Sequence, residues 1–600
     1  MTSEPRRNLL KTLAAAALVP LFPGCAAVPE RPQHLRRGDY VAVTDHLQRW
    51  LQHLVRADAV VGLSIALLDD QQPIWAAGFG QADKAAGDAA SAQTRYRAGS
   101  ISKVFTATAI LQLVDAGLID LDAPLVRYLP GFSLRQRPDT AGPITPRQLL
   151  SHHSGLPGDR IEGMWTQNPA AFSTLLAYLR DEYRAFPPNQ VHAYSNIGFT
   201  LLGMLIEQVS GMGIAAYMQT RLLGPLNMRA SEFSPAAPSG DSAAAAYDEH
   251  GKAGEELPLR DTPAGGLNST APDLLQLARL FFGDGGIAGR MLLSPAAIQA
   301  MTTQQNLDCP LDADLRVGLG WHFAPDAVRG CGPVLFHDGG TLCHRSVLML
   351  LPEHRLAVAV MANSANAIPT LMDAAGYALG LLLEAKSGIR QPPIAFDCRD
   401  ERYPAVSVDS FPGSYDTPLG FVSIRHVAGA LQMQVGDQRL RMKPDAGGCF
   451  RLEYRLLGML SLDLGKLGEY VYTRTRIAGH EVLLARDAGS WLLAGERLEA
   501  VPIPAAWRAR LGVYDYVGAD MLIASLIGRT ELKVENGFLL VETASPDGLQ
   551  QLALKPLDDE TARVRGLGRG RGESVQVRRD GGEETLHHAG LTFRRVKVKS

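Results

Sequence analysis

The chain has 600 residues, of which 46% are hydrophobic and 20% charged, a globular composition long enough for two to four domains. Its formal net charge of −3 gives no overall field that attracts polyanions, so we expect no nucleic-acid partner.

The N-terminal segment has the features of an export signal. Arg6, Arg7 and Lys11 form a charged region, and a short uncharged stretch interrupted by prolines follows. The run "RRNLLK" is similar to a twin-arginine signal, and "FPGC" is similar to a bacterial lipobox that ends in Cys25. We predict that residues 1–25 are a signal peptide and that lipidated Cys25 anchors an exported, periplasmic protein to a membrane. Ordinary cleavage nearby, with Cys25 discarded, is the alternative.

Residues 39–390 have a mixed α and β pattern and are predicted to form one domain. The runs "VVGLSIALLDD" and "PIWAAGFGQAD" predict two strands joined by a turn. The run "KVFTATAILQLVDAG" predicts a buried helix that ends at Gly117. Further on, "LAVAVMANS" predicts a buried strand and "PTLMDAAGYALGLLLEA" a closing helix.

The pattern changes after a Pro-rich, charged linker at residues 391–408. Short alternating segments with closely spaced turn residues then predict an all-β region. Two similar runs, "FPGSYD" and "RLGVYDY", each open a block of suitable size for a small barrel. We predict antiparallel β-barrels at residues 409–505 and 506–600, with the basic run "RGLGRGRGESVQVRR" on the solvated surface of the second.

The cysteines leave the pairing open. Apart from Cys25 there are five, an odd number, so at least one thiol is free or paired between chains. Cys309 and Cys331 flank one segment and could form a disulfide in an exported protein. No CxxC or HExxH motif occurs, and we expect no metal or other cofactor.

A Ser-x-x-Lys pair at the start of the predicted buried helix is the first candidate for chemistry. Residues three apart share one helix face, so the Ser100 hydroxyl and the Lys103 amine can meet, whereas Ser102 points elsewhere. The helix entry also leaves free backbone N–H groups near the serine. A nucleophilic serine needs a base and donors for an oxyanion, and this segment offers both.

Two further motifs follow along the chain. Tyr194 and Asn196 stand two apart, just before an apolar helix. The run "FHDGG" opens a strand on which His337 and Gly339 face one side and Asp338 the other. Each residue alone is ordinarily structural; three such motifs in one chain favour an active site.

Together the motifs resemble those of the serine β-lactamase and penicillin-recognising superfamily, and within it the class C β-lactamase-like hydrolases. The chain is similar to that family in Ser100-Ile-Ser-Lys103, Tyr194-Ser-Asn196 and His337-Asp-Gly339, in this order, and in "LLSHHSGLPG" and "GLGW". The resemblance implies an α/β (α+β) fold, an antiparallel sheet flanked by helices with a helical subdomain. It likens the trailing barrels to lipocalin-like appendages of D-aminopeptidases.

The resemblance also implies roles for the catalytic residues. Ser100 would be the acylated nucleophile, and Lys103 and Tyr194 would share the role of base. A free Lys and a free Tyr have similar pKa values, about 10.4 and about 10, so we expect a coupled pair rather than one pure base.

The substrate-binding residues follow from the same resemblance. Asn196 would bind the flank of the substrate, and His337 and Gly339 would line the site. The backbone N–H groups of Ser100 and Gly340 would form the oxyanion hole.

The expected activity is hydrolysis of an amide, peptide or ester through an acyl-enzyme. His in the place of a cationic Lys holds a substrate carboxylate less firmly, which favours a D-aminopeptidase or esterase over a D-Ala-D-Ala carboxypeptidase or β-lactamase. The substrate would be a small molecule or peptide, including peptidoglycan fragments. A non-catalytic cell-envelope lipoprotein is the alternative of another class. We also expect a barrel loop to reach over the cleft and set its specificity.

Overall fold

The computed structural model describes residues 28–600 apart from 325–326, 393–399, 404–405, 437, 446–447, 457–459, 463–467, 469, 487–488, 546–547, 581 and 597–600. The predicted signal peptide and Cys25 therefore lie outside the described residues, as does Cys398. No single described helix is long and apolar enough to cross a bilayer; the helices Asn196–Ser210 and Ile214–Leu223 satisfy length and composition only as a pair bent by 75°.

A seven-stranded antiparallel sheet forms the centre of the first domain, in the order β3-β2-β1-β12-β11-β10-β9. Its strands and the small ribbons beside it are β1 (Gly62–Asp69), β2 (Gln72–Asp83), β3 (Asp88–Ala89), β4 (Tyr96–Arg97), β5 (Glu232–Phe233), β6 (Leu267–Ser269), β7 (Gly286–Ile287), β8 (Arg290–Met291), β9 (His322–Phe323), β10 (Leu335–Gly340), β11 (Arg345–Leu351) and β12 (Leu356–Ala362).

Helices cover both faces of this sheet. They are α1 (Tyr40–Ala57), α2 (Ser102–Asp115), α3 (Pro146–Leu150), α4 (Leu175–Leu179), α5 (Asn196–Ser210), α6 (Ile214–Tyr217), α7 (Thr262–Gly265), α8 (Ala271–Phe282), α9 (Pro295–Thr302) and α10 (Ile368–Ser387). One apolar core joins α1 and α10 to the sheet, and a larger one joins α2, α5 and α8 to its other face. The predicted sheet, flanking helices and helical subdomain are confirmed.

The predicted buried helix corresponds to α2, which is apolar on nearly every side. Eleven of its residues are buried, which is typical of a helix in the centre of a domain rather than at its surface. The helix ends at Asp115, and Gly117 takes a φ of +70° in the turn that follows, a conformation that glycine adopts readily.

Two closed eight-stranded antiparallel barrels follow, as predicted. The first closes through β13 (Gly413–Thr417), β14 (Gly420–Val427), β15 (Ala430–Val435), β16 (Gln438–Pro444), β17 (Phe450–Leu456), β19 (Val471–Ile477), β20 (His480–Arg486) and β21 (Trp491–Leu498), with β18 (Leu460–Leu462) paired to β17. The helix α11 (Ala505–Ala509) leads into the second barrel.

The second barrel consists of β22 (Gly512–Tyr516), β23 (Thr530–Glu535), β24 (Phe538–Ser545), β25 (Gly548–Pro556), β26 (Thr561–Val564), β27 (Ser574–Asp580), β28 (Glu583–His588) and β29 (Leu591–Arg595). The helix α12 (Met521–Leu526) lies between its first two strands. Each barrel has its own apolar interior.

The repeated sequence run has a structural counterpart in the two barrels. The Tyr415 hydroxyl donates to the carbonyl oxygen of Phe411 at 2.7 Å, and the Tyr514 hydroxyl donates in the same way to Arg510 at 2.7 Å. Both tyrosines are buried and stand in the first strand of their barrel. The same backbone anchor therefore starts each barrel, which makes position 416 in the first equivalent to position 515 in the second.

The cysteines do not form the disulfide considered from the sequence. Cys309, Cys331 and Cys343 are buried free thiols, and Cys449 is buried as well. Cys309 Sγ donates to the carbonyl oxygen of Asn189 at 3.1 Å, whereas Cys331 lies beside Gln391. Cys309 and Cys331 thus lie against different segments of the chain.

Candidate active site

Ser100 and Lys103 meet at the start of α2, as their spacing predicts. Ser100 lies in the short turn Gly99–Ile101 that leads directly into the helix. The Lys103 side chain is fully buried, and its Nζ donates to Ser100 Oγ at 3.0 Å and to the carbonyl oxygen of Ala264 at 2.7 Å. The amine therefore has two fixed acceptors, and one of them is the candidate nucleophile.

Strand β10 packs tightly against the turn that carries Ser100. A Cβ on Gly339 would lie 2.0 Å from the carbonyl oxygen of Ala98, and a Cβ on Gly99 would lie 2.9 Å from the nitrogen of Gly340. Gly99 also has a φ of +53°. Glycine at these positions permits the close approach of Gly340 to the turn that carries Ser100, which the predicted oxyanion hole requires.

Tyr194 lies on the other side of the nucleophile, just before α5. Its hydroxyl is close enough to Ser100 to interact with it, and Lys103 Nζ lies 4.9 Å from the centre of its ring. The ring of His152 stacks on the Tyr194 ring at 4.2 Å between centroids. The serine, the lysine and the tyrosine thus form one contact group.

Burial shifts the pKa values of the two candidate bases in opposite directions. Burial, aided by the positive charge of Arg569, lowers the pKa of Lys103 from 10.5 to about 7. It raises the pKa of Tyr194 well above its usual value, against the effect of the interaction with Ser100. The similarity of the two free pKa values is therefore lost in the folded protein, because a buried site disfavours the ammonium and the phenolate alike. Near pH 7 a substantial fraction of Lys103 therefore carries a neutral amine.

A group of histidines surrounds Tyr194, and only His337 was predicted to be a site residue, although His152 belongs to the "LLSHHSGLPG" run. The others are His152, His192 and His322, and burial lowers the pKa of all four. The rings of His322 and His337 are 5.2 Å apart, and those of Tyr194 and His337 are 6.4 Å apart. Uncharged imidazoles near Lys103 avoid the repulsion that imidazolium ions would add.

His337 is buried more deeply than we expected for a substrate-binding residue. Its side chain is only 2% exposed, and its Nδ1 lies 2.6 Å from the carbonyl oxygen of Asp338. Position 337 shares the sheet face of Leu335, which belongs to the core of α2 and α5, so the predicted orientation of the strand is correct. The side chain supports Tyr194 and His322 from behind and does not form an open wall of the site.

Asn196, of the second motif, is linked through the carboxylate of Asp159 to Arg569 of the second barrel. Its Nδ2 donates to Asp159 Oδ1 at 2.7 Å, and Arg569 Nη2 donates to Asp159 Oδ2 at 2.7 Å. The Arg569 guanidinium lies 5.0 Å from the centre of the Tyr194 ring, and its side chain is half exposed. A solvent-accessible cation therefore stands at the candidate active site.

Arg569 belongs to the loop of residues 565–573 between β26 and β27, which we call the arginine loop. The prediction of a solvated barrel surface for this basic run holds for Arg578 and Arg579, which are exposed, but it is wrong for the loop, which packs against the catalytic domain. Glu573, at the end of the loop, accepts a hydrogen bond from the Gly158 amide at 2.9 Å. A barrel loop thus contacts the candidate site, as expected, and its effect on specificity stays a prediction.

One nearby group could in principle ligate a metal. Ligand atoms of His153, Cys309 and Asp312 all lie within 4.8 Å of one another. The carboxylate of Asp312 already bonds His153 Nε2 at 2.8 Å, Asn306 Nδ2 at 2.6 Å and the His192 amide at 2.7 Å. These hydrogen bonds satisfy the Asp312 carboxylate without a metal, and the bond to His192 fixes the segment that leads to Tyr194.

Comparisons with known proteins agree with this geometry. Penicillin-binding protein 4 of Amycolatopsis lactamdurans is 28% identical over 389 residues, which cover 62% of this chain and 98% of that protein. The crystal structure of SurE is 26% identical to this chain, with a TM-score of 0.57, and the match covers 77% of this chain and all of SurE. The crystal structure of SurE with D-Leu has a TM-score of 0.55 and covers 76% of this chain. An octameric penicillin-binding protein homologue from Pyrococcus abyssi shares the fold, with 22% identity, a TM-score of 0.51 and coverage of 75% of this chain and 99% of its own.

The family assignment rests on the domain that carries the site. A family model described as Beta-lactamase matches residues 47–382, more than half of the chain, and includes Ser100, Lys103 and Tyr194. The chain belongs to the beta-lactamase family, and it is a serine hydrolase.

Proposed function

We propose that the protein cleaves an amide, peptide or ester bond through a covalent acyl-enzyme on Ser100. The observation that carries this proposal is the 3.0 Å hydrogen bond between Lys103 Nζ and Ser100 Oγ, together with a lysine pKa of about 7. A base whose pKa lies near the working pH combines a useful neutral fraction with enough basicity to accept the proton.

Acylation follows from the positions of these groups. Neutral Lys103 accepts the proton of Ser100 as Oγ attacks the substrate carbonyl carbon, and the amide hydrogens of Ser100 and Gly340 stabilise the oxyanion. As the tetrahedral intermediate collapses, the Tyr194 phenol donates its proton to the leaving group and regains one from the Lys103 ammonium. Water then attacks the acyl-enzyme by the reverse route, which releases the acid and restores Ser100.

For the substrate, we propose a compound with a D-amino acid next to the scissile bond, in a D-aminopeptidase-like or esterase-like reaction. The similarity to SurE, which has been crystallised with D-Leu, supports this choice. The sequence argument that a neutral His337 favours this activity does not support the proposal, because the His337 side chain is buried.

A second candidate activity is that of a D-Ala-D-Ala carboxypeptidase or β-lactamase. Arg569 favours it, because an exposed guanidinium beside Tyr194 can bind a carboxylate through paired, charge-assisted hydrogen bonds. The similarity to penicillin-binding protein 4 also supports it. We propose that the substrate carries a free carboxylate on the leaving-group side and that Arg569 binds it.

Paired substrates test this proposal. Intact-mass spectrometry with a panel of esters, D-amino-acid amides, D-alanyl dipeptides and penicillins identifies which of them acylate the enzyme. Among those, we expect Arg569→Gln to lower kcat/KM for a carboxylate-bearing substrate about tenfold relative to its amide-capped analogue, since an ionic hydrogen bond is worth about 1.5–3 kcal/mol.

Arg529→Gln is the matched control, because Arg529 is an exposed arginine of the same barrel that pairs with Glu531. It should leave the ratio unchanged. An unchanged ratio in Arg569→Gln would disprove carboxylate binding by this residue. The absence of any adduct across the panel would favour a non-catalytic envelope protein.

We also propose that the protein is exported and anchored through a lipid on Cys25, as its lipobox-like sequence suggests. The native protein should then partition into the detergent phase, and Cys25→Ala should release it or leave it unprocessed. A mature N-terminus beyond position 25 would show that Cys25 is discarded.

A further inference from the structure

We propose that Asp416 of the first barrel is a positioning residue that holds the arginine loop of the second barrel in the active site and so sets the selectivity for anionic substrates. The inference rests on the proposed function, because Arg569 must contact the substrate for selectivity to change. It assigns a role in the reaction to the first barrel, whose side chains do not take part in the contacts described for Ser100, Lys103 and Tyr194.

The arginine loop depends on contacts beyond its own barrel for its shape. Gly566, Gly568, Gly570 and Gly572 alternate with larger residues, and all four have φ between +72° and +100°. Such a backbone has few intrinsic restraints, because glycine populates a wide range of conformations. External contacts must therefore fix the place at which Arg569 emerges.

The first barrel provides a buried ion pair among these contacts. Arg571 Nε donates to Asp416 Oδ2 at 2.5 Å, and Arg571 Nη2 donates to the carbonyl oxygen of Thr417 at 2.8 Å. The Asp416 residue is 2% exposed. A Cβ on Gly566 would lie 2.0 Å from Asp416 Oδ2, so the carboxylate packs directly against the backbone of the loop.

The catalytic domain holds the opposite side of the loop. A Cβ on Gly572 would lie 2.6 Å from the carbonyl oxygen of Ala185, and Glu573 binds the Gly158 amide. Arg569 lies between the two attachment points, and it bonds Asp159. Loss of one attachment leaves the charge of Arg569 present but less well oriented, and misplacement by about 1 Å can cost on the order of a hundredfold in rate.

The internal repeat shows that this use of Asp416 is particular to the first barrel. The equivalent residue of the second barrel, Asp515, follows the equivalent tyrosine and is exposed. The same residue type at the same position is thus at the surface in one barrel and buried against a loop in the other. Asp515 is accordingly the matched control.

The pH dependence of selectivity gives an independent check. Burial raises the pKa of Asp416 to about 6, and the charged groups that face it are Arg571, Arg565 and Glu496. As pH falls through about 6, the carboxylate gains a proton and its attraction for Arg571 weakens, while a substrate carboxylate stays ionised. Protonation of Lys103 lowers kcat/KM for the carboxylate substrate and for the capped substrate by the same factor, so it does not change their ratio. A fall in this ratio below pH 6 therefore reports the loop contact.

The experiment compares Asp416→Asn with Asp515→Asn in the full chain. We expect Asp416→Asn to lower the carboxylate-to-capped ratio about tenfold, to leave labelling by a small neutral fluorophosphonate within about twofold of wild type, and to raise hydrogen–deuterium exchange in the peptide that covers residues 565–573. Asp515→Asn should change none of these. In the double variant with Arg569→Gln, the ratio should equal that of Arg569→Gln alone, because both changes act through one guanidinium.

Arg571→Met removes the partner on the loop and keeps the first barrel intact, so it should reproduce the effect if Asp416→Asn folds poorly. Unchanged loop exchange in both variants would overturn the positioning role. Increased exchange with an unchanged ratio in these variants, when Arg569→Gln does lower the ratio, would overturn the link to selectivity. An unchanged ratio in Arg569→Gln itself would instead refute the proposed substrate contact, while the exchange data would still decide whether Asp416 holds the loop.

Discussion

Ser100→Ala is expected to abolish acyl-enzyme formation and to reduce turnover on the order of 10⁴-fold or more, because the proposed covalent intermediate has no other attachment atom. The substitution removes one hydroxyl from a half-buried turn, and its partner Lys103 keeps its bond to the carbonyl oxygen of Ala264. The thermal midpoint should therefore stay close to that of the wild type while activity is lost.

The measurement is intact-mass spectrometry after exposure to a fluorophosphonate or a penicillin, followed by peptide mapping. The adduct should map to Ser100 in the wild type and be absent in Ser100→Ala. Ser173→Ala, at an exposed serine of the same domain, is the control that should retain the label. A label on Ser102 or Ser195 would contradict the assignment; both are engaged in buried hydrogen bonds, to the carbonyl oxygens of Gly99 and Pro157.

The parts of the site that lie close together in the sequence could be predicted from it. Helical geometry alone places Ser100 and Lys103 on one face, and the 3.0 Å bond follows from their spacing. Strand alternation likewise indicated the correct side for His337. Both predictions depend on short-range geometry, which the local backbone imposes whatever the rest of the chain does.

The contacts between distant segments could not be predicted in this way. His322 follows the "GLGW" run and His192 precedes Tyr194 by two residues, yet nothing in either segment shows that the two rings lie 5.6 Å apart. The arginine loop was misjudged for the same reason. A basic, glycine-rich run usually lies in solvent, and only the docking of the second barrel on the catalytic domain brings Arg569 to Asp159.

Burial explains why the sequence did not distinguish Lys103 from Tyr194 as the base. As free side chains in water, a lysine and a tyrosine are nearly equal as bases, and a sequence offers only that comparison. In the folded protein both groups lose water, and each shifts toward its uncharged form, the amine and the phenol. The choice of base is thus a property of the packed site, and the residue types alone do not determine it.

Replacing Lys103 tests that choice of base. Lys103→Met keeps the length of the side chain and removes the amine, so we expect the rate of acylation to fall about 10²–10⁴-fold, the usual contribution of a general base. In the wild type this rate should rise with pH through about 7, because the amine must lose its proton before it can accept that of Ser100. Arg569→Gln removes a neighbouring positive charge, which should raise the pKa of Lys103 and shift this limb to higher pH.

Lys103→Arg separates proton transfer from simple charge stabilisation. A guanidinium keeps the positive charge but does not lose its proton at accessible pH, so it should be as inactive as methionine if Lys103 is the base. Stopped-flow acylation with an activated ester, measured from pH 5.5 to 9, distinguishes the cases, and the thermal midpoint of each variant reports folding. Activity retained in Lys103→Arg, or a wild-type rate without a limb near pH 7, would show that the proton of Ser100 goes elsewhere. Tyr194 could then be the base only as a phenolate, which burial disfavours, so the acylation rate would rise only at a pH well above 10.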